Sequence, residues 1–515
     1  MKIKHYIFSL LAASLVLTGC GGDFINLDNP NQMTSNNFFS SEKDMDEAIT
    51  ACYGSLYFQG IYSQWYDLVF EMRGDLCYNE SAWQDYNNSS KFIFPNNDWE
   101  YVHYVWNDYY KGINMINRFL THIDDKNIQM DETKRTQYKG EASFLRALYY
   151  FNLYHLYGDV PVVTEPFDEV SFPERATDEE VWAQIAADLQ TALDADLPWK
   201  WSGNDLGRIG KGAVYAMIGK MHMQRHEWQE AADAFKTIID SNQFKLVDNY
   251  SDNFDLEHEF NSESIFEVSF YDDGTKGTWT EYGSARSIRT SQRAKYFAPR
   301  SIGGHSDAQP NNFYLNEFTD KTKAGKEDPR KRASILYYPT DRFYGKTYLA
   351  LGGTVKLNSK TPMIWSKKYS NGYWRGYEDE WSGINLRVIR YADILLMYAE
   401  ALNNLGQTHE AYQYIDQVRQ RKSVDLVTLE SVKPNMTQQE MQKQIEHERI
   451  TELGGESERW FDLWRWGYLD TEEGKEELEK HDYEFETFRP GISKLLPIPQ
   501  ADVDLDKNLK QNPGY

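Results

Sequence analysis

Three stretches of the chain interleave tryptophan and tyrosine with amide and acidic side chains. They are Trp83-Gln84-Asp85-Tyr86-Asn87-Asn88, Trp279-Thr280-Glu281-Tyr282 and Tyr373-Trp374-Arg375-Gly376-Tyr377. Flat rings can stack on the apolar C–H faces of sugars while neighbouring polar groups bond the hydroxyls. The pattern therefore predicts a carbohydrate-binding surface, with Trp83 as its leading candidate. Packing of the same rings into the core is the alternative, and the sequence leaves both open.

Other tryptophans have a simpler interpretation. Trp106, Trp182 and Trp228 fall at helical spacing among apolar residues, which predicts that they pack in the core.

Motifs for catalysis and cofactor binding are missing from the sequence. None of the His-Glu pairs is followed by the second histidine of a zinc-protease helix. Gly207 to Gly212 lacks the Walker spacing, and its glycines are expected to begin a helix. The many acidic residues leave a glycoside hydrolase as an alternative, although no spacing selects a carboxylate pair. The sequence thus predicts no catalytic residue, cofactor or metal site.

Helical periodicity dominates two regions that must position these side chains, residues 42–240 and 387–421. Two segments share the offsets of a tetratricopeptide repeat, in which small residues let two antiparallel helices approach closely. These are Gly219, Ala231 and Phe235, then Ala399, Ala411 and Ile415. Degenerate copies are expected at residues 44–59 with 101–121 and at 136–157 with 178–194. A generic helical bundle is the alternative.

The sequence of two further regions predicts loops rather than repeat helices. Residues 61–110 are rich in aromatics. Residues 271–381 are Gly-rich and irregular, and short strand-like runs occur at Ser264–Tyr271 and Met363–Tyr369. Long loops without helices are usually functional. The rings concentrated at 61–110 and 271–381 are therefore expected to form a ligand face.

Composition narrows the class of protein. The chain has 515 residues, a net charge of −24 and 15% aromatic residues. A nucleic-acid binder needs a basic surface, so nucleic acid is excluded as a partner. A disordered acidic chain would be poor in aromatics. The charge also favours a neutral glycan over an anionic one.

The N-terminus predicts export and lipidation. Lys2 and Lys4 precede an apolar stretch that is too short to span a bilayer but suits a signal peptide. Leu17-Thr18-Gly19-Cys20 resembles a bacterial lipobox, so residues 1–19 are predicted to be removed and Cys20 to be acylated. Cys52 and Cys77 could pair in an exported compartment or remain buried thiols.

Several motifs together resemble the SusD/RagB family of outer-membrane lipoproteins. They run in family order along the chain and cover Glu141 to Pro161, Arg390 to Ala401, Asp328 to Arg330, Glu448 to Gly467, Leu496 to Pro499 and Gln511 to Tyr515.

The resemblance implies a mainly α fold, in which four tetratricopeptide-like helix pairs support a loop-rich, minor-β half. It implies an N-terminal region at residues 20–240 and a C-terminal region at 241–515, with a loop-rich insert at about 271–386 and the fourth pair at about 387–421. It further implies a protein without enzymatic activity on the outer face of the outer membrane. Such a protein binds glycans and acts as the lid of a SusC-like TonB-dependent transporter.

Only some of the family's ligand-binding residues can be matched to positions in this chain. Trp83 and Asn88 match a family Trp-then-Asn spacing, and Tyr282 falls near a later family aromatic. Residues 301–312 lack the second family tryptophan, so starch is not assumed as the ligand. The predicted glycan-binding residues are Trp83, Tyr86, Asn88, Trp279, Tyr282 and Trp374. The alternatives are a lipoprotein glycoside hydrolase and a peptide-binding scaffold of the RagB kind.

Overall fold

The computed structural model describes residues 39–95, 97, 99–167, 173–272, 289–354 and 359–515. Helices dominate this part of the chain. In order they are α1 (Glu42–Gly54), α2 (Trp65–Met72), α3 (Gln84–Ser90), α4 (Glu100–Ile123), α5 (Glu132–Tyr157), α6 (Asp178–Asp194), α7 (Lys211–Gln224), α8 (Trp228–Asp240), α9 (Arg293–Phe297), α10 (Asn312–Glu317), α11 (Pro329–Ser334), α12 (Tyr391–Asn404), α13 (Thr408–Arg419), α14 (Leu429–Val432), α15 (Gln438–Leu453), α16 (Arg459–Arg465), α17 (Glu472–His481) and α18 (Gln500–Leu505).

The strands are short and pair antiparallel. In order they are β1 (Cys77–Tyr78), β2 (Ser264–Val268), β3 (Gln309–Pro310), β4 (Ile335–Leu336), β5 (Arg342–Phe343), β6 (Lys346–Thr347), β7 (Trp365–Ser366) and β8 (Leu386–Arg390). Within the described residues, β1 pairs with β3, β2 with β8, β4 with β7 and β5 with β6. The predicted minor-β, loop-rich half is confirmed.

Four helix pairs form the scaffold, as the sequence predicts: α1 with α4, α5 with α6, α7 with α8, and α12 with α13. The small residue of the repeat has the expected role in the third pair. A Cβ on Gly219 would overlap the ring of Phe235, so only glycine lets α7 and α8 approach this closely. The glycines before α7 also behave as predicted, since Gly210 is its N-cap.

Charged residues of the motifs that resemble the SusD/RagB family form buried ion pairs. Arg390 bonds Glu452 at 2.8 Å and Glu456 at 2.7 Å, and Arg449 bonds Asp393 at 2.8 Å. Comparable buried pairs join Arg146 to Asp188, Arg330 to Asp328, Arg459 to Asp75 and Arg465 to Glu400. Burying an ionised side chain costs free energy, and an oppositely charged partner with hydrogen bonds offsets that cost. Removing one partner of such a pair would leave a buried charge without compensation and destabilise the fold.

Most aromatic residues of 61–110 lie in the core. Buried rings in this stretch include Tyr62, Trp65, Tyr66, Phe70, Tyr78, Tyr86, Phe92, Trp99, Tyr101 and Tyr109. The prediction that this stretch forms a ligand face is wrong for these rings, because they stack on one another beneath the surface. Trp106 and Trp182 are buried and Trp228 is partly buried against the core, as predicted.

Both remaining cysteines of the described chain are buried and free. Cys52 and Cys77 are each at most 3% exposed and form no disulfide. Burial raises the pKa of the Cys52 thiol to about 12, which favours the unreactive protonated form. Among the residues the structure describes, no helix is both long and apolar enough to cross a membrane.

Candidate functional site

The β1–β3 pair brings together two segments that are far apart in sequence. Tyr78 lies opposite Gln309, and Cys77 lies opposite Pro310. The backbone N–H of Asn311 extends the pairing by donating to Leu76 O at 3.0 Å. The segment that leads into α3 therefore lies beside the loop that follows α9.

A surface cleft of about 120 Å³ opens between these two segments. Its walls combine rings with polar groups: Ser81, Ala82, Trp83, Tyr296, Arg300, Gly304, His305 and Asp307. Such a combination can stack on the apolar face of a ligand and bond its polar groups at the same time.

Trp83 forms the first wall on a fixed backbone. It precedes α3 directly, and its N–H donates to Ser81 Oγ at 3.1 Å. The N–H of Ser81 in turn donates to Asn79 Oδ1 at 2.7 Å. The Trp83 side chain is 53% exposed. A large ring on a rigid backbone thus faces solvent.

A column of rings supports Trp83 from the core. The Tyr86 ring lies 5.1 Å from Trp83 and 4.8 Å from Trp65, and Trp65 stacks on Tyr101 at 5.1 Å. Tyr86 is only 2% exposed. The prediction that Tyr86 itself offers a face to a ligand is therefore corrected: its faces are taken by neighbouring rings, and it positions Trp83.

Tyr296 and His305 form the second wall. Their ring centroids are 5.1 Å apart, and His305 lies 6.4 Å from Trp83 across the cleft. The loop turns tightly at Gly304, where a Cβ would overlap the backbone of Ala298. Burial, with nearby Lys295 and Arg300, lowers the pKa of His305 to about 4. The imidazole is therefore neutral at physiological pH and can both donate and accept a hydrogen bond.

Asp307 and Arg300 supply the charged groups of the cleft. Burial raises the pKa of the Asp307 carboxyl to about 6, against the opposing effects of Ser81 and Arg300. The Arg300 guanidinium is fixed by donation to His305 O at 2.9 Å and to Glu80 O at 2.6 Å. A carboxylate and a fixed guanidinium are suitable partners for ligand hydroxyls.

The remaining predicted residues are distributed differently. Asn88 is half-buried on α3 and does not line the cleft. Trp374 is 44% exposed on another loop. Trp279, Tyr282 and Cys20 lie outside the described residues.

Sequence reasoning missed Tyr296, Arg300, His305 and Asp307. Their stretch reads as a Gly-rich loop without a recognisable motif. Only the long-range pairing of β1 with β3 places it opposite Trp83.

A larger groove of about 590 Å³ lies along α1 and α5. Of its three tyrosine rings, that of Tyr138 is already covered by cations. The Arg208 guanidinium lies 4.5 Å from the Tyr138 ring and Lys134 lies 5.4 Å from it. The Tyr138 face is therefore less suitable for sugar stacking than the face of Trp83.

Two acidic clusters in the described chain have metal-ligating residue types. In the cluster of Asp320, His447 and Glu448, the Arg419 guanidinium bonds Asp320 at 2.9 Å and also bonds Glu448. The positive charge of Arg419 therefore already compensates the carboxylates of this cluster. In the cluster of Asp252, Asp255 and His258, only His258 is exposed, and its Nδ1 lies 2.9 Å from Asp255.

Comparison with known proteins agrees with this architecture. Residues 262–515 match the model of the SusD family. Residues 23–223 match a second family model, described as starch-binding associating with outer membrane. The chain belongs to the SusD family. Both the predicted family and the predicted fold are confirmed.

Relatives and solved structures match over nearly the whole chain. SusD-like protein P25 of Formosa agariphila is 27% identical, with 96% of each chain covered. A SusD superfamily protein from Bacteroides vulgatus has a TM-score of 0.80 and 27% identity, covering 93% of this chain and all of its own. A laminarin-binding SusD-like protein has a TM-score of 0.75 and 25% identity, covering 92% of this chain and 100% of its own.

Proposed function

We propose that this SusD-like protein binds glycan oligosaccharides at the cell surface without cleaving them. The observation that carries the proposal is the exposed face of Trp83 beside the polar cleft. A pyranose stacked on Trp83 would have its hydroxyls within reach of His305, Asp307 and Arg300. Neutral sugars are favoured, since the cleft holds one carboxylate and one guanidinium. The name of the laminarin-binding relative supports a glycan as the ligand class.

The composition of the cleft supports binding rather than hydrolysis. Glycoside hydrolases use two carboxyl groups separated by about 5–10 Å. Asp307 is the single carboxylate among the lining residues of the cleft. Among the residues that the structure describes, the lining of the cleft thus lacks the carboxylate pair that would break a glycosidic bond.

Membrane attachment and delivery complete the proposal. Acylation of Cys20 would tether the protein to the outer membrane, facing the exterior. The N-terminal region at 20–240 and the C-terminal region at 241–515 would together act as the lid of a SusC-like TonB-dependent transporter. The family description, which names association with the outer membrane, supports this location.

A polysaccharide panel tests the proposal. The mature protein is run by affinity electrophoresis through gels containing neutral and anionic polysaccharides, and the same mixtures are assayed for new reducing ends. We expect retardation by a neutral glycan without new reducing ends. Release of reducing ends would indicate a hydrolase, and no retardation by any glycan would favour a peptide-binding scaffold.

A further inference from the structure

A second group of exposed rings lies outside the cleft. Tyr373, Trp374 and Tyr377 are 51%, 44% and 58% exposed on the loop between β7 and β8. Large aromatic side chains this exposed within a few residues of one another usually mark a binding surface.

The loop that carries these rings is rigid. Arg375 donates to the Trp381 carbonyl at 2.6 Å and to Asp379 at 2.8 Å. Glu378 is buried and accepts hydrogen bonds from Asn371 Nδ2 and Tyr344 Oη, each at 3.0 Å. Binding to a preorganised loop loses little conformational entropy. The exposed rings therefore form a ready surface for stacking.

This loop is joined directly to the loop of the cleft. The Glu378 N–H donates to Ile302 O at 2.8 Å. Gly303 has φ of 95°, and a Cβ there would lie 2.7 Å from Glu378 O. His305 follows two residues later. Backbone contact between the two loops thus fixes the position of one set of rings relative to the other.

Charge around the rings identifies the ligand. Arg375 is paired with Asp379 and with Asp272. Arg375 is the single cation between Asn371 and Gly383 and stands against Glu378, Asp379 and Glu380, so the loop is acidic on balance and disfavours an anionic ligand. A neutral oligosaccharide long enough to extend from the cleft fits this chemistry.

We propose that Tyr373, Trp374 and Tyr377 form a second subsite for the oligosaccharide held at Trp83, so that the protein selects long glycans over short ones. This inference rests on the proposed function. Two sites engaged by one ligand act with a high effective concentration, so avidity can exceed either single affinity by about 10²–10⁴-fold.

Calorimetry with an oligosaccharide series tests the inference. Disaccharides to octasaccharides of the glycan that the panel identifies are titrated into the mature protein. We expect affinity to rise at least about tenfold once the chain is long enough to reach both subsites. In a Trp374→Ala/Tyr377→Ala variant this rise should vanish while the affinity for the shortest binding oligosaccharide is unchanged.

Controls separate this inference from the proposed function. Trp374→Phe keeps a ring and should retain the rise with length. Tyr338→Ala removes a ring that is 46% exposed on a different loop, and should change nothing. Equal affinity loss at all lengths, or no loss, in the double variant would overturn the second subsite. Loss of all glycan binding in Trp83→Ala would support the proposed function, whether or not the double variant supports the second subsite.

Discussion

At the scale of single residues, Trp83 is the side chain on which glycan binding depends most. Trp83→Ala removes the stacking face and should weaken glycan binding at least about tenfold, since 1.4 kcal/mol corresponds to a factor of ten. Isothermal titration calorimetry with the retained glycan measures the loss. Because the ring is 53% exposed, we expect the thermal midpoint to change little.

Tyr86 is the contrasting residue in the same column of rings. Its ring is buried between Trp83 and Trp65. Tyr86→Ala should lower the thermal midpoint clearly, because truncating a buried aromatic costs about 3–5 kcal/mol. Differential scanning calorimetry distinguishes the two variants. Unfolding of Trp83→Ala at a temperature as low as that of Tyr86→Ala would contradict the assigned roles.

Asp307 makes glycan affinity depend on pH. Its pKa is raised to about 6, so the carboxyl becomes protonated below that pH and loses acceptor capacity for ligand hydroxyls. Affinity should therefore fall several-fold between pH 7 and pH 5. His305, with a pKa of about 4, stays neutral throughout this window.

Dissociation constants measured from pH 5 to 8 check this prediction. Asp307→Asn cannot ionise, and its affinity should be independent of pH across the window. If the affinity of Asp307→Asn varied with pH as strongly as that of the wild-type protein, the pH dependence would belong to another group.

At the scale of elements, the helix pairs depend on close approach at the small positions of the repeat. Gly219→Ala would drive a methyl group into the Phe235 ring between α7 and α8. Overpacking of this kind costs about 1–3 kcal/mol, so chemical denaturation should show a lower free energy of unfolding. Gly54→Ala is the matched control, because a Cβ at Gly54 meets nothing within 4 Å. That control should be neutral or slightly stabilising.

The elements also explain how much the sequence could predict. The helix pairs follow from periodicity and small-residue offsets, which are local signals. The second wall of the cleft depends on Tyr78 pairing with Gln309, 231 residues away. No local pattern encodes such a pairing. Burial of the rings at 61–110 was missed for the same reason, because the partners that cover them come from distant helices, as Phe461 of α16 does for Phe70.

At the scale of the whole molecule, the larger of two hydrophobic clusters in the described residues runs from Met45 to Leu509 and joins the N-terminal and C-terminal regions. Buried acids in this body make its stability depend on pH. Burial, with a further contribution from the neighbouring Asp482, raises the pKa of the Glu484 carboxyl well above its usual range. Folding therefore favours the protonated acid, and the free energy of unfolding should fall as pH rises from about 5 to 8.

Glu484→Gln tests this prediction, because glutamine resembles the protonated acid but cannot ionise. The variant should lose less stability than the parent between pH 5.5 and 8.5, with a difference of about 1–2 kcal/mol by denaturant unfolding. Parallel pH profiles for the two proteins would show that Glu484 does not titrate in this range.

The central claim is that an intact glycan binds in the cleft at Trp83. A crystal structure of the mature protein with the retained oligosaccharide tests it most directly. The account predicts an uncleaved chain with a pyranose stacked on the exposed face of Trp83 and hydroxyls bonded to Asp307 or His305. A ligand bound in the groove beside Tyr138, or a cleaved chain in any site, would contradict it.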